Sequence, residues 1–391
     1  MRVGVLTSLY PCPERPFEGI FAERKWQGLA ARGTSVRVVH PVPFGPRWLA
    51  PLLGDGRAYL SRIPAAEERG GIPVRRPRFL HVPGRSVGNA GRFARAGVRS
   101  LTGDPDGRPD VIVCDYAWPA AAAVSEAARL GVPVIVNGRG SDVLQVRDVP
   151  GLRPHLARGL AGADGYTAVS QDLLDAMVDL GGTRDLAALT PNGVDAEHFA
   201  PGDRAAARRR VGQSEAGSLV ICVGHLIERK DPLLALRAFA AADAPDSRLV
   251  FVGRGPLTGA VEEAAADLGL SSRVELLGER PPEELGDWYR AADLLVLTST
   301  REGRPNVVLE ALSSGCPVLA TRAGGTGELV RDPRMLAEDR DAGALGRMLA
   351  DLLARRPSAE SLRGSVAHLT WAASLDALEH VLGTAVSRGP S

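Results

Sequence analysis

The chain has 391 residues, 45% hydrophobic and 24% charged, with a formal net charge of +1. This exceeds what one hydrophobic core usually organises, so about two domains are expected, and the composition excludes a disordered or fibrous chain. Near-neutrality gives no global attraction to nucleic acid, and the apolar runs are strand-sized, far short of the ~20 residues that span a bilayer.

Residues 1–10 lead directly into an apolar run with no charged n-region or apolar h-region, which predicts a cytoplasmic protein. Short β-branched runs then alternate with segments of helical period, the pattern of parallel βαβ units. In the first half, strands are predicted over 3–6, 36–39, 111–114, 132–136 and 165–169, with helices over 21–32, 120–130 and 171–179. Residues 70–103 differ: they carry seven arginines and no acidic residue, and are expected to form a mobile loop and helix. Arg92, Arg95 and Arg99 lie at helical spacing there, so segment 75–99 is a candidate peripheral contact with anionic lipid at the inner face of a membrane; the alternative is a solvated basic loop.

Pro, Asn, Gly and Asp cluster between Thr190 and Asp203, with a tight turn expected at Asn192–Gly193. This divides the chain into 1–195, 196–368 and a terminal helix within 369–391. In the second half, strands are predicted over 219–223, 248–252, 274–277, 294–298 and 317–320, and helices over 232–242, 258–268, 282–291 and 306–314. A charged helix is expected over 337–354 and an amphipathic one over 371–386. Cys12, Cys114, Cys222 and Cys316 share no CxxC or CxxH spacing and read as reduced, mostly buried thiols.

The most informative stretch runs from Arg301 through Glu302, Gly303, Pro305, Asn306, Val307 and Glu310, directly after the buried run at 294–298. It reads as strand, loop and helix start. Pro305 suits a first helical turn, and Gly303 allows close backbone approach to a ligand. The amides near Asn306 and Val307 then suit phosphate at the positive end of the helix dipole. Glu310 falls just beyond the first turn, where a carboxylate can accept hydrogen bonds from two vicinal hydroxyls. In isolation the two glutamates would equally be solvated acids at a helix start.

They are not isolated. The stretch resembles the glutamate-x7-glutamate motif of retaining glycosyltransferase family 4, and the likeness covers nearly the whole chain: Gly19-Ile-Phe, Asn137-Gly-Arg-Gly-Ser-Asp142, Pro191-Asn-Gly-Val-Asp195, Val223-Gly-His-Leu-Ile-Glu-Arg-Lys230, Gly324-Gly-Thr-Gly and Trp371. The resemblance implies an α/β fold of the GT-B kind, with two Rossmann-like domains facing each other across a cleft and a C-terminal helix returning to the first. It also implies metal-independent transfer of a hexose or amino sugar from a nucleotide diphosphate sugar, UDP-sugar favoured, to a hydroxyl acceptor. By the same likeness Lys230 and Arg229 would bind the pyrophosphate, with Glu302, Gly303, Pro305, Asn306, Val307 and Glu310 completing the donor site. Gly19 would approach the diphosphate from the first domain. Asp115, where many relatives carry histidine, would be an active-site group or a helix cap. Arg139 and Asp142 would meet the acceptor or pair with each other. Glu302, Lys230 and Asp115 are the residues expected to act in catalysis.

No cofactor or metal is expected. Asp104-Pro-Asp106 has the spacing of a metal-binding pair but lies in a polar loop rather than after an apolar strand. The acceptor is expected to be either a lipid-linked or polysaccharide precursor, or a soluble secondary metabolite such as an aminocyclitol in antibiotic biosynthesis. A sugar-nucleotide epimerase of the same architecture is the alternative activity.

Overall fold

The computed structural model describes residues 1–44, 60–105 and 107–390. The chain forms two compact units. One comprises Met1–Asn192 with Trp371–Ser391, the other Gly193–Thr370. The sequence-based boundaries at 195 and 368 lie three and two residues from these.

The first unit is built on β1 (Arg2–Thr7), β2 (Ser35–Val39), β3 (Val42–Phe44), β4 (Ala66–Arg69), β5 (Ile72–Arg75), β6 (Arg78–Leu80), β7 (Val111–Asp115), β8 (Val134–Gly138), β9 (Gly165–Ala168) and β10 (Ala187–Leu189). Eight of these make one sheet in the order β10-β9-β8-β7-β1-β2-β5-β4, while β3 and β6 pair separately. β1 pairs in parallel with both β2 (Val3 opposite Val36) and β7 (Val3 opposite Val111). The chain therefore builds outward from β1 to one side and then restarts on the other. This reversal opens a crevice outside the carboxyl ends of β1 and β7, where ligands of doubly wound sheets bind.

The second unit contains β11 (Ser218–Val223), β12 (Ser247–Val252), β13 (Val274–Gly278), β14 (Leu294–Leu297), β15 (Val318–Thr321) and β16 (Leu336–Ala337). All pair in parallel in the order β13-β12-β11-β14-β15-β16, so the reversal falls between β11 and β14. Helices cover both sheets. That is why β7, β8, β11 and β14 read as unbroken apolar runs, almost every residue being buried.

The helix Trp371–Arg388 belongs to the first unit. Its Leu375, Leu378, Val381 and Leu382 are buried with Trp26 and Leu29, each such side chain contributing ~1.5–3 kcal/mol of burial. Leu375 packs so close to Gly28 that a Cβ there would stand 2.8 Å from it. Arg32 secures the outer face, donating to Asp376 at 2.6 Å and Glu379 at 2.9 Å.

Several expectations need correction. Residues 70–80 are not loop: β4 and β5 form an antiparallel hairpin and β6 follows, before a helix at Ser86–Thr102. The helix expected over 120–130 is broken into Ala117–Ala120, a 3-10 turn and Val124–Ala128. Residue 337 is in β16, and the helix expected from there starts at Ala342. The turn expected at Asn192–Gly193 lies instead at Asp195, whose carboxylate accepts the Glu197 and His198 N–H groups.

Candidate active site

In the second unit, the loops leaving the two strands at the reversal carry the donor-motif residues. The loop after β11 ends in a 3-10 turn at Glu228–Lys230, and the loop after β14 contains Ser299 and Glu302. Lys230 Nζ donates to Glu302 Oε1 at 2.5 Å, Ser299 Oγ donates to the same oxygen at 2.7 Å, and Arg229 Nη1 reaches Oε2 at 3.4 Å. Burial by itself would raise the Glu302 pKa. The Lys230 charge, with the hydrogen bonds from Lys230 and Ser299 and the Arg229 charge, holds it below the usual glutamate range. The result is an anion clamped beneath two cations that keep 19% and 27% of their side chains exposed, leaving net positive charge at the mouth.

Residues not singled out from sequence hold this arrangement. Asp231 takes a left-handed backbone conformation, φ 45°, immediately after Lys230, where its side chain caps the helix Pro232–Ala241 by accepting the Leu234 N–H at 3.0 Å. Arg340 donates to Asp231 at 2.5 Å and to the carbonyls of Thr298 and Ser299 at 2.7 and 3.0 Å, tying the two loops together. Asp231 follows Arg-Lys and precedes proline, which is a cap signal legible in sequence; nothing local marks Arg340.

The helix Asn306–Ser313 starts where the motif predicts, with one difference: Pro305 is its N-cap, not its first turn. No side chain caps this start. Asn306 and Val307 open the helix, and Gly303 is buried, its carbonyl accepting the Gly325 N–H at 3.0 Å. Glu310 lies one turn in, partly exposed, and Tyr289 donates its hydroxyl to Glu310 Oε2 at 2.9 Å. Burial and the neighbouring Glu310 charge push the Tyr289 pKa well up, so the phenol remains a donor.

In the first unit, Gly19 stands at the N-cap of the helix Ile20–Ala31 with φ 81°, and a Cβ there would meet the Leu9 carbonyl oxygen at 2.9 Å. Only glycine fits this approach. The other three residues expected here are drawn inward. Asp115, 1% exposed, ends β7 and accepts from Trp26 Nε1 at 2.7 Å, Asn137 Nδ2 at 2.5 Å and Arg139 Nε and Nη2 at 2.8 Å each. Burial would raise its pKa, yet Arg139 and then Lys25 hold it below the ordinary range. Asp115 is thus neither a helix cap nor an exposed polar group. Arg139 does not pair through its side chain with Asp142; it grips Asp115 and lies 5.0 Å over the Phe21 ring. Asp142 is 2% exposed and accepts the backbone N–H groups of Ala117, Gly140 and Arg139 at 2.5, 2.7 and 3.0 Å. Lys25, fully buried beside them, donates to Thr190 at 3.0 and 3.1 Å, and burial followed by the Arg139 charge drives its pKa well down.

Asp104, of the acidic pair, is buried against Arg37 and Arg75 at 3.0 and 2.9 Å, while Asp106 lies outside the described residues. Among the described residues no group of three His, Cys, Asp or Glu could hold a metal ion, and no helix is long and apolar enough to cross a membrane. All four cysteines are buried and unbonded to each other.

Two α/β units, each with a doubly wound and largely parallel sheet, make the GT-B fold. A family model described as "Glycosyl transferases group 1" matches residues 203–365, and one described as "Glycosyl transferase 4-like domain" matches 19–193. A Bacillus subtilis glycosyltransferase named for teichuronic acid biosynthesis, TuaC, is 31% identical over 88% of this chain and 87% of its own. The D-inositol 3-phosphate glycosyltransferase of Stackebrandtia nassauensis is 31% identical over 76% of this chain and 73% of its own. Anabaena HepE, solved in complex with UDP-glucose, superposes with a TM-score of 0.74 over 98% of this chain and 99% of that one, at 19% identity. The chain belongs to the family 4-like glycosyltransferases.

Proposed function

We propose that this chain transfers a hexose or amino sugar from a UDP-sugar to an acceptor hydroxyl with retention of configuration and without a metal ion. The observation that carries this is the Glu302 carboxylate held by Lys230 and Arg229 at the strand reversal, with the uncapped start of the Asn306–Ser313 helix on the same loop. Lys230 and Arg229, net positive over Glu302, and the positive end of the helix dipole attract a diphosphate without a divalent ion. In this reading Glu310, which accepts the Tyr289 hydroxyl through one carboxylate oxygen, accepts the ribose hydroxyls.

The step this supports is same-face attack. The acceptor oxygen bonds to the sugar C1 as the bond from C1 to the diphosphate oxygen breaks, and the hydroxyl proton passes to the departing diphosphate. The charge growing there is met by Lys230 and Arg229, so catalysis is mainly positioning and electrostatics. Asp115, sealed in the first unit, positions rather than reacts. Relatives named for teichuronic acid biosynthesis and for inositol phosphate support acceptors of either the polysaccharide-precursor or the soluble cyclitol kind. Arg95 and Arg99, exposed on the helix Ser86–Thr102, supply a cationic face for anionic lipid; Arg92 is committed to the Leu80 carbonyl and Asn89.

The test is a panel of UDP-, GDP- and ADP-sugars with and without excess chelator, products read by mass and anomeric configuration by NMR. Retained product from a UDP-sugar in chelator is expected. An inverted product, or activity restored only by magnesium, overturns the reading.

A further inference from the structure

At the amino end of β14, away from the donor motif that follows its carboxyl end, three arginines meet one carboxylate. Asp293 directly precedes β14 and is buried. Its Oδ1 accepts from Arg204 Nη1 at 2.7 Å and from Arg356 Nη1, while its Oδ2 accepts from Arg208 Nη2 and, at 2.7 Å, from the Leu219 N–H. Arg204 opens the helix Arg204–Arg210, Arg208 lies one turn further along it, and Arg356 follows the helix Ala342–Ala354, so the guanidiniums arrive from two distant stretches of chain. The loops around them adjoin: a Cβ on Gly315 would stand 2.6 Å from the Ala359 Cβ and 3.2 Å from Pro201.

The charges do not balance. Among the described residues Asp293 is the one carboxylate within ion-pair distance of Arg204, Arg208 and Arg356, so three positive charges face one negative charge and a surplus of two remains. Arg208 is buried and spent as a structural tie, donating also to the carbonyls of Ala291, Ser214, Glu215 and Gly217 at 2.8–3.2 Å. The other two reach solvent. Arg356 keeps 21% of its side chain exposed, and burial first, then the Arg204 and Arg208 charges, lower its pKa against the pull of Asp293. Arg204 is 49% exposed, and among the described residues its side chain has Asp293 as its single hydrogen-bond partner, which leaves most of its guanidinium donors unspent. Next to Gly315, the Ser314 hydroxyl is buried without a hydrogen-bond partner.

We propose that Arg204 and Arg356 form a second anion site, separate from the donor motif, that takes a phosphate group, either as inorganic phosphate or as the phosphomonoester of a small metabolite. A phosphate dianion supplies the two negative charges the cluster lacks, and its oxygens accept from two guanidinium forks at once; a halide matches neither the charge nor the geometry. The two sites stand at opposite ends of β14 and of the helix Asn306–Ser313, with Glu302 and Asn306 at one end and Asp293 and Ser314 at the other. A phosphate held here leaves Lys230 and Arg229 uncovered for the donor.

The test is calorimetry of the full chain saturated with UDP, which covers the donor cations, titrated with inorganic phosphate, glucose 6-phosphate or sodium chloride at matched ionic strength. At least one phosphate-bearing probe should bind, and more tightly than chloride. Tighter binding of inorganic phosphate marks the free ion as the source, and tighter binding of glucose 6-phosphate marks a phosphorylated metabolite. Arg204→Gln and Arg356→Gln should each weaken that binding about tenfold or more, as expected for the loss of one charged hydrogen-bond donor, while UDP affinity is unchanged. Arg204 is half exposed, so its replacement leaves the core packing intact and Arg204→Gln decides if Arg356→Gln does not fold. No phosphate binding beside UDP, chloride binding as tight as phosphate, or unaltered phosphate affinity in folded Arg204→Gln overturns the proposal. Lack of UDP binding would count against the donor reading alone, and Arg204→Gln would still decide where phosphate binds.

Discussion

The two units solve one electrostatic problem in opposite ways. Each places a carboxylate beside two basic side chains where its strand order reverses: Asp115, at the end of β7, with Arg139 and Lys25, and Glu302, after β14, with Lys230 and Arg229. In the first, carboxylate and guanidinium are 1% and 3% exposed and every Asp115 bond runs inward, to Trp26, Asn137 and Arg139. In the second, the carboxylate is buried but its cations reach solvent. The same kinds of side chain therefore make a brace in one unit and a receptor in the other, and exposure of the basic groups separates them.

The comparison breaks first at Asp115. Asp115→Ala leaves the buried Arg139 charge without its anion and is expected to cost ~3–5 kcal/mol of stability. Urea unfolding followed by tryptophan fluorescence reads it, since Trp26 bonds the same carboxylate; a loss below ~1 kcal/mol would show that the cluster is not a brace. Lys230→Ala should act on turnover instead, lowering kcat about a hundredfold, or ~3 kcal/mol, with a smaller loss of donor affinity because charge on the diphosphate grows as the bond breaks. Lys230→Arg should recover only part of the rate, a planar fork being no substitute for a compact charge. Equal losses in kcat and affinity would count against the reading.

The same substitution has a pH signature. Glu302 has a depressed pKa in the folded chain, so the stability it contributes is present above the ordinary glutamate value of ~4.3 and is lost as pH falls through the folded value. With Lys230 replaced by alanine, burial dominates and the loss should begin at higher pH. Melting temperature from pH 3 to 7 checks the direction, and coincident profiles would refute it.

Asp142→Asn sharpens the contrast within the first unit. An amide sets N–H against backbone donors that now meet oxygens, at an expected cost of ~1–3 kcal/mol in urea unfolding. Arg95→Gln and Arg99→Gln should be the mildest, moving stability by no more than ~0.5 kcal/mol while weakening binding to phosphatidylserine vesicles by ~1 kcal/mol each. Unchanged vesicle binding would leave these arginines as solvated charges.

The parallel strands were legible because burial on both faces demands apolar, β-branched runs, as at Val111–Val113. The β4–β5 hairpin was not: Glu67, Glu68 and Arg69 alternate in and out at a sheet edge, and the strands are four residues long. β10, three residues of Ala-Ala-Leu, carries no strand signal of its own and is held by pairing with β9. Glu302, Gly303, Asn306 and Glu310 were readable as a unit because strand, loop and helix start follow one another locally. Asp115, Arg139 and Lys25 come from three separate stretches, and no local pattern tells whether a charge met across such distances is sealed in or open to water.

The helix Trp371–Arg388 bears on how the protein is made. Residues 1–192 leave the ribosome first, but the face formed by Trp26 and Leu29 is covered by Leu375, Leu378 and Leu382, which emerge last. At ~5–20 residues per second, the intervening 193–370 take roughly ten seconds or more to synthesise. Through that interval the first unit exists with an apolar face uncovered, while the second, whose buried core lies within 199–369, can close on itself. In vectorial synthesis the unit begun first is the one finished last.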